Sequence, residues 1–122
     1  MANNLKILVV EDEEALRSIV EQELVTYGYQ VDTAEDGDIA MQKLNNQRYN
    51  LVILDIYMPN MNGMDVLRQI RENNLADKVI MLTGVNELKI ARESLALGAN
   101  DFITKPYDFQ NLIACINRVM KE

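Results

Sequence analysis

Five side chains have the types and the placing to do chemistry together: Glu11, Asp12, Asp55, Thr83 and Lys105. Each lies at the end of a short apolar run, where a chain that has crossed a core returns to solvent. Carboxylates brought close repel one another, and two or more stay ionised together only beside a compensating cation. A hard divalent ion with oxygen ligands, Mg²⁺ with Mn²⁺ as a substitute, answers that need. Lys105 adds a fixed positive charge and Thr83 a hydroxyl donor. A carboxylate nucleophile with a divalent ion, a lysine and a hydroxyl is equipment for taking a phosphoryl group onto an aspartate. The two cations would neutralise the moving phosphoryl oxygens while the carboxylate attacks in line. Singly, Glu11 and Asp12 read as helix caps, Thr83 as the partner of a loop amide and Lys105 as a solvated charge. Only convergence makes a site, so the elements that carry these residues decide.

Asp55 closes Leu51-Val52-Ile53-Leu54, an unbroken aliphatic run that reads as a strand buried on both faces. Met58-Pro59-Asn60-Met61-Asn62-Gly63 follows as a loop. Residues 5–10 form an earlier apolar run that stops at Glu11-Asp12-Glu13-Glu14, after which Leu16, Ile19, Val20, Leu24 and Val25 recur at helical spacing up to Gly28. Residues 29–34 predict a short second strand, and Asp36-Gly37-Asp38 opens a helix that ends at Asn45-Asn46. A third helix runs over about 64–73 and a fourth strand over 78–83, broken by Gly84. Asn86 is the expected cap of a helix ending at Gly98; residues 102–104 predict a fifth strand running into Lys105-Pro106, and Asp108 caps a last helix. Strand and helix thus alternate five times with short links, which predicts an α/β fold: a doubly wound, five-stranded parallel sheet with helices on both faces. Such sheets bind ligands outside the carboxyl ends of their strands, and that edge is where all five residues fall.

At 122 residues the chain reads as one domain over 1–122, large enough to bury a core without staples. Its net charge of −7 argues against direct contact with nucleic acid or an anionic membrane. The single cysteine, Cys115, excludes an internal disulfide and fits a reducing, cytoplasmic setting. With no histidine there is no His-based zinc site, no Ser-His triad and no histidine phosphocarrier role. No apolar run approaches the roughly 18 residues a membrane span needs, and no basic leader precedes the first strand.

The set Val9-Val10-Glu11-Asp12, Leu54-Asp55-Ile56-Tyr57-Met58-Pro59, Gly63, Leu82-Thr83-Gly84, Gly98-Ala99 and Lys105-Pro106 resembles the response-regulator receiver domains of bacterial two-component signalling. The likeness runs from Lys6 to Val119, at about the size of the single-domain chemotaxis regulator. It implies the flavodoxin-like strand order 2-1-3-4-5 and a phosphorylation-activated switch rather than a metabolic enzyme. It implies Asp55 as phosphoacceptor, with Glu11, Asp12, Asp55 and the main-chain carbonyl of Tyr57 holding Mg²⁺. Thr83 and Lys105 would hold the phosphoryl group, Thr83 and Phe102 would switch, and the Lys105-Pro106 peptide would be cis. The implied partners are a histidine kinase or histidine phosphotransfer protein and a downstream protein or attached effector domain. The domain is expected as a monomer or a phosphorylation-dependent dimer.

Departures from the pattern carry expectations of their own. Glu11 replaces a common Asp, and Gly84 replaces a common Ala, which should loosen its loop. Tyr57 and Val85, two places beyond Asp55 and Thr83, should shield the acyl phosphate from water and prolong its life. Asp101 lacks the basic partner that a transcription-factor subgroup carries where this chain has Cys115, which weakens the case for that subgroup's dimer. The 122 residues hold no DNA-binding module after the last helix, which leaves a complete regulator and an excised receiver both open. The rival readings are a haloacid-type phosphatase, which would need a second acid where Tyr57 stands, and a nucleotide- or flavin-binding protein. The acidic loop after the first strand opposes the latter. A third is a receiver-fold interaction module that works without phosphorylation.

Overall fold

Alternation along the strands explains the architecture. In a parallel sheet covered on both sides, successive residues enter opposite cores. Residues 5–121 are described by the computed structural model; the leader reading of residues 1–4 lies outside them. The chain runs β1 (Lys6–Val10), α1 (Glu14–Tyr27), β2 (Gln30–Ala34), α2 (Gly37–Asn46), β3 (Tyr49–Asp55), α3 (Gly63–Asn73), β4 (Ala76–Thr83), a 3-10 turn (Val85–Glu87), α4 (Leu88–Ala96), β5 (Asp101–Thr104) and α5 (Phe109–Met120). The strands are parallel in the order β2-β1-β3-β4-β5, as the resemblance implied.

Ile7, Val9, Leu51, Ile53, Ile80 and Leu82 enter one core with Val20 and Leu24 of α1 and Leu112, Cys115, Ile116 and Val119 of α5. Their neighbours Leu8, Val10, Val52, Leu54, Val79 and Met81 enter the other, with Ala40 and Leu44 of α2 and Val66, Leu67 and Ile70 of α3. Ile90 and Leu97 pack on that second core from the α4 side.

Several boundaries differ from the sequence reading, two strand starts among them. β3 begins at Tyr49 and β4 at Ala76, each two residues early, because Tyr49 and Ala76 already pair in register. Asn86 does not cap α4: it lies inside the 3-10 turn, and the Glu87 side chain instead accepts the Gly84 N–H at 2.7 Å. Asp36 and Asp108 do cap α2 and α5, accepting from the Ile39 and Asn111 amides.

Candidate functional site

Register fixes the site. Val10 pairs with Leu54, Asp55 with Leu82, and Thr83 with Thr104, so the ends of β1, β3, β4 and β5 lie side by side. Glu11 and Asp55 are only 1% and 7% exposed, whereas Asp12 faces solvent. Oxygens of Glu11, Asp12 and Asp55 lie within 4.8 Å of one another, an all-oxygen cluster whose hardness and spacing suit one divalent cation such as Mg²⁺. Lys105 Nζ sits between the two buried acids, 2.8 Å from Glu11 Oε1 and 3.3 Å from Asp55 Oδ2.

One lysine against two buried carboxylates does not balance. Burial pushes the Asp55 carboxyl up to about 7, the negative charge of Glu11 pushes the same way, and Lys105 offsets only part. Lys105 is itself held above its ordinary range: burial opposes its charge, but the hydrogen bond to Glu11 and the charges of Asp55 and Glu11 outweigh that. The second oxygen of Glu11 accepts the Glu13 N–H at 3.1 Å, so this longer acid is tied at both ends.

Thr83 ends β4, and its hydroxyl and the Gly84 N–H both lie against Glu87. The Thr83 hydroxyl is 3.4 Å from the carbonyls of Gly84 and Glu87, and the Glu87 carboxylate takes the Gly84 N–H. The Gly84 amide is thus tied to the turn that follows it. Tyr57 and Val85 stand at the rim, 52% and 60% exposed. Phe102 packs, half-buried, against the core shared by α2 and α3. The Lys105-Pro106 peptide is cis. Just beyond it the Tyr107 hydroxyl is buried with no hydrogen-bond partner among the described residues, and burial raises its pKa to about 12.

Two contributors escaped the sequence reading. Arg17 donates to the Glu11 carbonyl at 2.8 Å, bracing the β1 end from one turn inside α1. Its only signal is position, since no motif marks it. Glu87 was legible in principle, as an acid three residues after a turn-former is a capping spacing. Asp101 finds its cation at Arg118, 2.5 Å away, with Cys115 Sγ at 3.6 Å from the same oxygen.

A buried strand-end Asp flanked by two acids and a lysine at the β1-β3 switch point is a family's constellation. Residues 7–117 match the family model of the response regulator receiver domain. The chain belongs to that family. It is similar to the response regulator ArlR of Staphylococcus epidermidis, 38% identical over 115 residues that cover 94% of this chain and 52% of the relative. Among solved structures, it is similar to the chemotaxis protein CheY4 of Vibrio cholerae (TM-score 0.89, 30% identity, 96% of this chain and 99% of that one). It is also similar to NtrX of Brucella abortus (TM-score 0.91, 31% identity, 98% and 27%). The receiver thus spans about half the length of the curated relative it matches. Among the described residues, no helix is long and apolar enough to cross a membrane.

Proposed function

We propose that this receiver takes a phosphoryl group onto Asp55 from a histidine kinase or histidine phosphotransfer protein and passes the change to a downstream protein or an attached effector domain. The observation that carries the reading is the Asp55 carboxylate, buried at the end of β3, 3.3 Å from Lys105 and within 4.8 Å of Glu11 and Asp12 oxygens. Glu11, Asp12, Asp55 and the Tyr57 carbonyl would hold Mg²⁺. Bound there, the ion supplies a second positive charge beside the transferring phosphoryl oxygens.

An Asp55 oxygen attacks phosphorus, forming an O–P bond while the bond to the donor breaks. The leaving group, an imidazole nitrogen or a carboxylate, departs with the electron pair. Lys105 exchanges its contact with ionised Asp55 for a phosphoryl oxygen, and the Thr83 hydroxyl turns from the Glu87 carbonyl to a second. Space left by Thr83 admits Phe102, and the surface of α4, β5 and α5 changes for its reader. Tyr57 and Val85 screen the acyl phosphate from water. The setting is cytoplasmic, where the free thiol of Cys115 stays reduced.

The test is intact mass after incubation with Mg²⁺ and acetyl phosphate, with EDTA and Asp55→Ala as controls. One phosphoryl adduct is expected, lost in both controls, and its decay should slow relative to a Tyr57→Asn/Val85→Glu variant. No adduct on the wild-type chain, or a faster decay than the variant's, counts against the respective claim.

A further inference from the structure

The loop that joins β3 to α3 carries Tyr57, and besides the packing of Met58 and Met61 on the core, polar and close contacts hold it at two points. The first is local. Gly63 N–H donates to the Ile56 carbonyl at 2.7 Å, and a Cβ on Gly63 would lie 2.1 Å from the Asp55 carbonyl oxygen. The second comes from the β2–α2 turn, which contributes no reacting group. Asn60 Nδ2 donates to Asp36 Oδ2 at 3.0 Å, while Asp36 Oδ1 accepts the Ile39 N–H at 2.9 Å. One carboxylate therefore starts α2 and grips the loop. Beside it, a Cβ on buried Gly37 would meet the Met61 carbonyl oxygen at 2.1 Å and Met61 Cβ at 2.7 Å. Gly37 has no left-handed φ, so the site demands glycine for space, not for conformation. Asn60 does sit at φ 70°, a conformation that asparagine tolerates.

We infer that Asp36, Gly37 and Asn60 are positioning residues for the phosphoacceptor site: through Asn60 and Met61 they fix where the main chain at Tyr57 presents its carbonyl. The inference rests on the proposed function, in which that carbonyl and Asp55 share the divalent ion. Mg²⁺ accepts little deviation from octahedral geometry, so a ligand on this loop gains from an anchor outside it. α2 packs on the same core as α3 and supplies one.

The full chain serves for the test, with three variants. Asn60→Gly keeps the positive φ and removes the grip. Asp36→Ser keeps a hydroxyl to cap Ile39 and also removes the grip. Gly37→Ala drives the loop off by about 1 Å, a displacement of the size that costs up to about a hundredfold in rate. Mg²⁺ affinity is read by calorimetry, adduct formation by intact mass, and stability by melting without Mg²⁺. Asn60→Gly and Asp36→Ser should each weaken Mg²⁺ binding about threefold to tenfold with little change in melting, and Gly37→Ala should do so more strongly. The Asp36→Ser/Asn60→Gly double variant should bind Mg²⁺ no more weakly than either single one, because both remove the same bond. Wild-type affinity with a lowered melting temperature would overturn the inference and leave the contacts purely structural. Additive losses in the double variant would overturn it too. If Gly37→Ala does not fold, the other two variants decide. A wild-type chain that takes neither Mg²⁺ nor phosphoryl group would overturn the functional reading and the inference with it.

Discussion

Burial of Asp55 between Glu11 and Lys105 makes one carboxyl group sensitive to pH and, in the proposed function, to the divalent ion. Folding moves it from 3.8 to about 7, so the folded chain keeps a proton that the unfolded chain has released. Stability from this group is fully present below pH 3.8 and is lost as pH rises through about 7. The shift is worth at most ~4 kcal/mol at 1.36 kcal/mol per unit, and relaxation around the neighbouring charges of Glu11 and Lys105 reduces it to about half. Without Mg²⁺ at pH 8, Asp55→Asn should therefore be more stable than wild type by about 2 kcal/mol in urea unfolding. The gap should close by pH 4. In the proposed function proton and ion compete for the same oxygens, so Mg²⁺ affinity should fall by up to about tenfold per pH unit below 7. A gap that grew on acidification would reverse the sign argued here. At this scale the sequence named the acids and the lysine, because an acid or a lysine ending an apolar run is visible in one dimension. It did not show that Lys105 would bridge Glu11 and Asp55, since that depends on distances.

Helix starts show how local chemistry is read and misread. Asp36 and Asp108 were legible as caps because an acid before an apolar-periodic run accepts the next turn's amides. Asn86, a neutral cap former, lost to Glu87, whose longer arm reaches the Gly84 amide where the chain winds into a 3-10 turn. A local rule chose the type of residue and the structure chose which one. Asp108→Ala should cost about 1 kcal/mol, and Asp108→Asn should restore most of it. Adduct formation on Asp55 should be unchanged in both, since the cap touches only the Asn111 amide. A slowed reaction in Asp108→Ala would mean that the start of α5 also governs the placing of Lys105.

At the scale of the molecule, the sheet separates two cores fed by alternate residues of the same strands. Ile70 on α3 and Ile116 on α5 are both fully buried, one in each core. Ile70→Val and Ile116→Val should each cost about 1 kcal/mol. The double variant should show their sum within about 0.5 kcal/mol, because the two share no packing partner. Coupling beyond that, measured in urea, would mean that the sheet transmits strain between its faces. The same arrangement lets β3 and β4 hold Asp55 and Thr83 at one edge while helices cover both sides.

The sequence by itself determined the alternation of elements, the parallel sheet, and the residues at its carboxyl edge. Those follow from hydrophobic period and turn chemistry, which act over a few residues. Tertiary structure alone decided the pairings that bridge long separations. Lys105 meets Glu11 across 94 positions, Arg118 rather than a residue at 115 answers Asp101, and Tyr49 donates to Asp32 at 2.6 Å between strands. Such contacts come from strand order and register, set by the packing of every strand at once. The grip of Asp36 and Gly37 on the β3–α3 loop belongs with them: neither residue bears on that loop until two crossovers have folded onto one face of the sheet.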